Sequence, residues 1–188
     1  VHIGNFRELI TVDFVRRALE KKGAKTRFIF SWDNYDVFRK VPANMPRQEE
    51  LKKYLGKPIV KTPDPFGKES SYARAHEVAM ETAIRKVGIA PEFLYQEKKY
   101  RGSEYAAPIR EALLRKKEIA AILDQYREKP LLENWLPISV FCTRCDSNET
   151  AVDTWDGDWA VAYTCKACGQ KETLDLRKTG AVKLLWRI

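Results

Sequence analysis

Apolar residues recur at helical spacing in three stretches of the chain. The first runs from Gly4 to Lys22 and ends at Gly23, the second runs from Glu69 to Val87 before Gly88, and the third runs from about Ser103 to Tyr126. A glycine just after such a pattern is typical of a helix C-terminus, because it adopts the left-handed conformation at little cost. The sequence therefore predicts three helices, each with an apolar stripe against a core.

The same spacing predicts which side chains those helices bury. They are Phe6, Leu9, Ile10, Phe14, Val15, Ala18 and Leu19 in the first, Tyr72, His76, Ala79, Met80, Ala83 and Val87 in the second, and Tyr105, Ile109, Ala112, Leu113, Ile119, Ala120, Leu123 and Tyr126 in the third. His76 lies on the second stripe. We interpret it as a partly buried histidine and assign it no role.

Two shorter runs are rich in β-branched and aromatic residues. Thr26–Trp32 and Phe93–Tyr95 therefore predict strands, the first of them buried. Between these runs, Val41–Pro65 is broken by prolines and predicts a surface connection with a short helix near Arg47–Leu55. Helices alternating with strands indicate an α/β fold of the nucleotide-binding type.

Ligands of open α/β sheets bind beyond the carboxyl ends of the strands. Asp33 and Asp36 directly follow the first predicted strand, so both are expected on the ligand side. A solvated loop explains both residues as well. We assign a role to Asp33 alone, as a contact to a cationic substrate group or to RNA.

Four cysteines form two Cys-x-x-Cys pairs, Cys142 with Cys145 and Cys165 with Cys168, and nineteen residues separate the pairs. Asp156-Gly157 lies between two strand-like runs in that interval, which is a hairpin signal. Four thiolates at this spacing fit tetrahedral zinc, with no open position for catalysis. A redox dithiol needs only one pair. We therefore predict a structural zinc ribbon.

The composition and net charge of the chain indicate an anionic partner. The 188 residues are 44% hydrophobic, as expected for a folded protein, and the formal net charge is +8. Basic charge favours RNA, although interleaved acidic residues fit a solvated helix face equally well. No apolar run approaches membrane-spanning length and no signal-peptide pattern opens the chain, so we expect a cytoplasmic location.

The first six residues begin the first predicted helix. A helix N-terminus attracts phosphate, because its backbone N–H groups are unpaired and its dipole is positive there. His2 and Asn5 can each donate a hydrogen bond to phosphate oxygens, and Gly4 has no Cβ to obstruct a nucleotide. An accidental match on an ordinary core helix is the simpler explanation if no other motif accompanies this one.

Other motifs do accompany it, and together they resemble a known family. His2-Ile3-Gly4-Asn5 is similar to the first signature of class I aminoacyl-tRNA synthetases. Four further segments resemble class I lysyl-tRNA synthetases, in order along the chain: Trp32-Asp33-Asn34-Tyr35-Asp36, Phe38-Arg39-Lys40-Val41-Pro42, Pro63-Asp64-Pro65-Phe66-Gly67 with Glu69-Ser70, and Tyr100-Arg101-Gly102-Ser103-Glu104-Tyr105.

The resemblance implies a partial Rossmann-like fold with a helical excursion and the zinc ribbon. We expect residues 1–137 to form the nucleotide-binding part, 138–178 the ribbon, and 179–188 a strand that returns to the catalytic sheet. The implied activity is ATP-dependent activation of lysine, with Mg²⁺, and transfer to tRNA(Lys). His2 and Asn5 would be catalytic residues and would bind ATP together with Gly4.

The family also has a strand before the first signature and a lysine-rich second signature after it, and these residues contain neither. We therefore expect the chain to be an N-terminal part of the catalytic region, inactive by itself. Two alternatives stay open. One is another class I synthetase or a related nucleotidyltransferase, and the other is a non-catalytic zinc-ribbon module that binds nucleic acid.

Overall fold

The computed structural model describes residues 3–185, and the chain divides into two compact units. Unit 1 contains the residues up to Leu55 together with Ile59–Gln96, and unit 2 contains Gly56–Pro58 together with the residues from Glu97 onward. Helices and strands alternate in the first unit, whereas strands follow helices in the second.

The elements in chain order are α1 (Ile3–Lys21), β1 (Ile29–Trp32), α2 (Gln48–Lys52), α3 (Tyr72–Lys86), β2 (Glu92–Tyr95), α4 (Gln96–Arg101), α5 (Ala106–Leu114), α6 (Lys116–Asp124), β3 (Ile138–Val140), β4 (Thr150–Trp155), β5 (Ala160–Cys165), β6 (Lys171–Asp175) and β7 (Val182–Leu184).

Unit 1 is built around a parallel strand pair. β1 pairs with β2 in register, from Ile29 opposite Glu92 to Trp32 opposite Tyr95. Parallel neighbours need a long crossover, and the segment between these strands contains α2 and α3. The buried core joins Leu9 of α1 to Met80 and Ile84 of α3, with Phe28 and Ile89 beside the strands. The two predicted strands and the predicted helices α1 and α3 are therefore confirmed. The predicted burial of the first strand is wrong, because none of the four residues of β1 is buried and Ile29 is 46% exposed.

The buried face of α1 differs from the predicted stripe. Leu9 is buried as expected, but Phe14 and Val15 are 63% and 55% exposed. Asp13, a charged residue, is buried instead, and it accepts hydrogen bonds from Arg16 and Arg17 at 2.6–3.0 Å. Burial alone would raise the pKa of Asp13, but these two guanidinium groups lower it below its usual value. Hydropathy cannot locate a carboxylate that its own helix neutralises.

The apolar stripe predicted for α3 is also wrong, because the helix buries a face that lies part of a turn away from it. Met80 is buried as predicted, whereas Val87 is 55% exposed. The residues that α3 buries are Ala73, Glu77, Met80, Glu81 and Ile84. Two glutamates thus occupy the inner face, because side chains from other parts of unit 1 satisfy their carboxylates.

The third predicted helix is two helices. The backbone breaks at Arg115, which ends α5 and precedes α6. α5 buries Ile109, Ala112 and Leu113 as predicted, but α6 contains no fully buried residue, and Tyr126 beyond it is 85% exposed. The buried stripe of α5 therefore does not continue along α6.

Unit 2 contains two antiparallel sheets. β5 is the central strand of the β4–β5–β6 sheet, and β3 pairs with β7 in a second, two-stranded sheet. The predicted hairpin at Asp156-Gly157 is confirmed between β4 and β5, where Gly157 has a φ of 88°. The core of this unit includes Leu113, Val161, Tyr163 and other fully buried side chains.

Among the described residues, 3–185, no helix is both long enough and apolar enough to cross a membrane.

Candidate functional site

The candidate substrate site is a cavity of about 490 Å³ in unit 1. Its walls come from the start of α1, the segment after β1, the connection to α3, and the first turns of α3. The lining residues are Asn5, Trp32, Asp33, Asn34, Pro42, Asn44, Met45, Ile59, Tyr72, Ala73, His76 and Glu77. The cavity therefore lies at the carboxyl end of a parallel strand, where α/β sheets bind their ligands.

Two of the sequence-predicted residues meet in this cavity. Asn5 is half-buried in the first turn of α1, and Asp33 is exposed just beyond the end of β1. Gly4 lies beside Asn5 in the same first turn. His2, the other predicted catalytic residue, lies outside the described residues.

Local contacts set where α3 begins, and hence where its cavity-lining residues lie. Ser71 is the N-cap and its Oγ accepts from the Arg74 backbone N–H at 3.1 Å. Just upstream, the buried Asp64 carboxylate accepts three backbone N–H groups, from Phe66, Lys68 and Glu69, at 2.7–2.9 Å. Burial alone would raise the pKa of Asp64, but these three donors lower it below its usual value.

A buried polar network lies behind the cavity wall. Asn34 Nδ2 donates to Glu77 Oε1 at 2.8 Å, and the Arg74 guanidinium donates to Glu77 Oε2 at 3.0 Å and to Glu81 Oε1 at 3.3 Å. The Tyr95 hydroxyl also donates to Glu81 Oε1, at 2.8 Å. Burial opposes the charge of Arg74, yet its bonds to Glu77 and Tyr95 raise the pKa of Arg74 above its usual value.

His76 lines the same cavity, next to Glu77 in the chain. Its ring contacts the Tyr72 ring edge-on, with 4.6 Å between centroids. Burial lowers the pKa of His76 below its ordinary value of 6.5, although the nearby Asp64 carboxylate acts in the opposite direction. The imidazole is therefore mainly uncharged at neutral pH.

The sequence patterns identified Asn5 and Asp33 but missed several cavity residues. Asn34, His76 and Glu77 were assigned no role, and Trp32 was identified only as part of a strand and of a segment that resembles the family. Asn34 follows Asp33 directly, so the rule that ligands bind beyond strand ends could have included it. Nothing in a helical stripe marks Glu77, because its burial depends on Asn34 and Arg74.

The four cysteines converge in unit 2 as the spacing predicts. Their Sγ atoms all lie within 4.8 Å of one another, with Cys142 and Cys168 at 3.6 Å and Cys145 and Cys165 at 3.7 Å. These separations exclude disulfides, and all four are free thiols. Tetrahedral zinc, with Zn–S bonds of about 2.3 Å, requires sulfur atoms about 3.8 Å apart. The donor set therefore fits a zinc ion.

The surroundings of one cysteine in the cluster favour the thiolate form of its side chain. Burial alone would raise the pKa of the Cys142 thiol, but the backbone N–H groups of Cys145 and Arg144 and the Tyr163 hydroxyl donate to its sulfur and lower that pKa to about 6. Burial raises the pKa of Cys145 to about 12, and the surrounding sulfur atoms add to this rise. Thiolates packed this closely need a cation between them.

The chain is similar throughout its length to one group of aminoacyl-tRNA synthetases. The sequence model of the family described as tRNA synthetases class I (K) matches residues 1–188. The class is therefore that of the class I synthetases. Within that class, this chain belongs to the class I (K) family.

Individual relatives agree with the family. A lysine–tRNA ligase of Borrelia garinii subsp. bavariensis is 55% identical over 188 residues, and one of Thermococcus kodakarensis is 45% identical over 192 residues. Each match covers 100% of this chain and 36% of the relative. A lysine–tRNA ligase of Streptomyces coelicolor is 30% identical over 222 residues, which cover 38% of its length. The chain thus spans little more than a third of the curated relatives it matches.

Proposed function

We propose that this chain is part of the catalytic region of a lysine–tRNA ligase, which activates lysine with ATP and transfers the lysyl group to tRNA(Lys). The observation that carries the proposal is the unit 1 cavity, because it joins Asn5 of the N-terminal signature to Asp33 beyond β1. Family membership over the whole chain, and relatives named lysine–tRNA ligase, support it. An enzyme of translation is expected in the cytoplasm.

The proposed fold of the catalytic region is Rossmann-like. A parallel strand pair, a crossover that contains helices, and a cavity at the carboxyl ends of the strands support this assignment. The division into a nucleotide-binding part (1–137), a zinc ribbon (138–178) and a final strand (179–188) stays a prediction, although the described strand of the last segment, β7, pairs with β3 of unit 2 and not with β1 or β2.

Two steps make up the proposed reaction. The lysine carboxylate attacks the α-phosphate of ATP and pyrophosphate leaves; a ribose hydroxyl at the 3′ end of tRNA then attacks the adenylate carbonyl and AMP leaves. Neither step requires a covalent bond to the protein, so catalysis is a matter of positioning and charge stabilisation.

The residues of the first signature would supply that stabilisation. Asn5 lies in the first turn of α1, where backbone N–H groups and the helix dipole favour phosphate oxygens. Gly4 would let the nucleotide approach the backbone, and His2 would donate a second side-chain hydrogen bond. Asp33 would contact a cationic group of the substrate.

Two metal ions belong to the proposal. Mg²⁺ would neutralise phosphate charge when it is bound with ATP. Within residues 3–185, the cysteine cluster is the one group of three or more His, Cys, Asp or Glu side chains arranged for a metal, so we assign no protein ligands to Mg²⁺. Zinc would be held by Cys142, Cys145, Cys165 and Cys168, which would close its coordination shell and brace the segment that meets the tRNA acceptor end.

The test is ATP–pyrophosphate exchange with lysine in the complete protein, with tRNA(Lys) present. Asn5→Ala should slow exchange on the order of 100-fold or more, because it removes a donor from developing phosphate charge. His2→Ala should act in the same direction. Thr11→Ala is the matched control on α1, since its exposed hydroxyl donates to the Arg7 carbonyl of the same helix. Exchange at the unaltered rate in both signature variants would contradict the assignment.

A further inference from the structure

The charge of the unit 1 cavity is opposite to that of the chain. The protein has 34 Lys and Arg residues against 26 Asp and Glu, yet none of the described lining residues is Lys or Arg. Two of them, Asp33 and Glu77, are carboxylates, and the lining histidine is mainly uncharged at neutral pH. The part of the cavity wall that contains Asp33 and Glu77 therefore attracts a cation.

Glu77 is held in place rather than neutralised. The side chain is 4% exposed, and its two oxygens accept from Asn34 and from Arg74. Arg74 also bonds Glu81, so the buried network sets two carboxylates against one guanidinium. One negative charge therefore remains beside the cavity. A buried charge of this kind is costly unless a further partner offsets it.

The remaining walls fit an apolar chain that carries a charged end. Ile59, Met45 and Ala73 supply aliphatic surface, and Trp32 and Tyr72 supply aromatic faces, which attract ammonium groups. Trp32 adds an independent observation: its Nε1–H is buried, and it has no acceptor within residues 3–185. Buried donors are seldom left unpaired, so this indole N–H is an unusual feature of a residue that lines the cavity.

We infer that this cavity binds the substrate amino acid through an ammonium group, with Glu77 and Asp33 as the carboxylates that recognise it. This inference rests on the proposed function, since lysine is the substrate considered. Lysine has two ammonium groups, one on Cα and one at the end of its apolar chain, and either fits the same chemistry. Asn34 and Arg74 fix the Glu77 carboxylate.

The experiment measures KM for lysine and KM for ATP in pyrophosphate exchange by the complete protein, with tRNA(Lys) present. Glu77→Gln keeps the size of the side chain and removes its charge, so KM for lysine should rise about tenfold or more while KM for ATP stays within about threefold. Glu81→Gln is the matched control, because Glu81 has the same burial and the same Arg74 partner but does not line the cavity. Its KM for lysine should stay within about threefold of the unaltered protein.

A second variant covers the case in which Glu77→Gln fails to fold. Asp33 is exposed, so Asp33→Asn should fold, and it should raise KM for lysine several-fold with KM for ATP unchanged. Two inhibitors then separate the ammonium groups. L-Norleucine keeps only the α-ammonium and 6-aminohexanoate keeps only the terminal one, so the inhibitor weakened by the variants identifies the group that these carboxylates bind.

An unchanged KM for lysine in a folded, active Glu77→Gln variant would overturn the inference, as would an unchanged value in Asp33→Asn if Glu77→Gln does not fold. An equal rise in Glu81→Gln would also overturn it, because the effect would then come from the buried network and not from the cavity. None of these results contradicts the proposed reaction, although an unchanged KM in Asp33→Asn would remove the substrate contact proposed for Asp33. Failure of the unaltered complete protein to exchange pyrophosphate with lysine would contradict that function instead.

Discussion

Asp64 offers the sharpest test of how the cavity is supported. Its carboxylate is 4% exposed and accepts from Phe66 N at 2.9 Å through Oδ1 and from Lys68 N and Glu69 N at 2.7 and 2.8 Å through Oδ2. These bonds close the turn that leads into α3. Asp64→Asn keeps the volume but replaces one acceptor oxygen with an NH₂ group, so at least one of these partly buried N–H groups loses its partner.

The expected cost follows from these contacts. A donor that loses its partner in this partly buried turn costs about 1–3 kcal/mol, and two charge-assisted bonds that become neutral lose about 1 kcal/mol each. Asp64→Asn should therefore lower the free energy of unfolding of unit 1 by about 3–5 kcal/mol. Asp36→Asn is the control, because Asp36 pairs with Arg39 at the surface and such pairs contribute about 0–1 kcal/mol.

The assay is urea unfolding at pH 7, combined with hydrogen exchange over residues 59–96, since the two units can unfold separately. With a urea dependence of about 2 kcal/mol per molar, the midpoint for unit 1 should fall by about 2 M. Because the pKa of Asp64 is lowered on folding, its stabilisation is full above the ordinary value of 3.8 and is lost as pH falls through the folded pKa. The difference between Asp64→Asn and the unaltered chain should thus shrink below about pH 4. A cost equal to that of Asp36→Asn at pH 7 would refute the reasoning.

Two further predictions concern the metal and the extent of the chain. The unaltered chain should carry one zinc per molecule by elemental analysis. Cys165→Ser should lose the zinc and should lose hydrogen-exchange protection mainly in residues 138–178, because the short strands there depend on the metal for stability. A metal-free chain with four titratable thiols would contradict this prediction. The 188 residues alone should not charge tRNA(Lys), since they span about a third of their relatives, and lysylation by this chain would show the prediction to be wrong.

The sequence predicted the parts of the fold that local physics controls. Gly23 and Gly88 mark helix ends at positive φ, and both Cys-x-x-Cys pairs converge as their spacing requires. Both depend on neighbours close in the chain or on one strong ligand preference. The antiparallel pairing on either side of Asp156-Gly157 was predictable for the same reason.

The parts that were wrong or missed depend on distant partners. α3 turns Glu77 and Glu81 inward because Asn34, Arg74 and Tyr95 satisfy them, and no hydropathy pattern contains that information. His76 received no role because we interpreted it as a structural, partly buried histidine; its partial burial is confirmed, but the sequence did not indicate that it lines the cavity. Asn5 and Asp33 were found because rules for helix N-termini and strand ends are positional, and they do not depend on burial.

The central claim is that the complete protein activates lysine, and pyrophosphate exchange against a panel of amino acids tests it most directly. With ATP and tRNA(Lys) present, lysine alone should support rapid exchange, and Asn5→Ala should slow that exchange on the order of 100-fold or more. Equal exchange with other amino acids, or no exchange with lysine, would contradict the account.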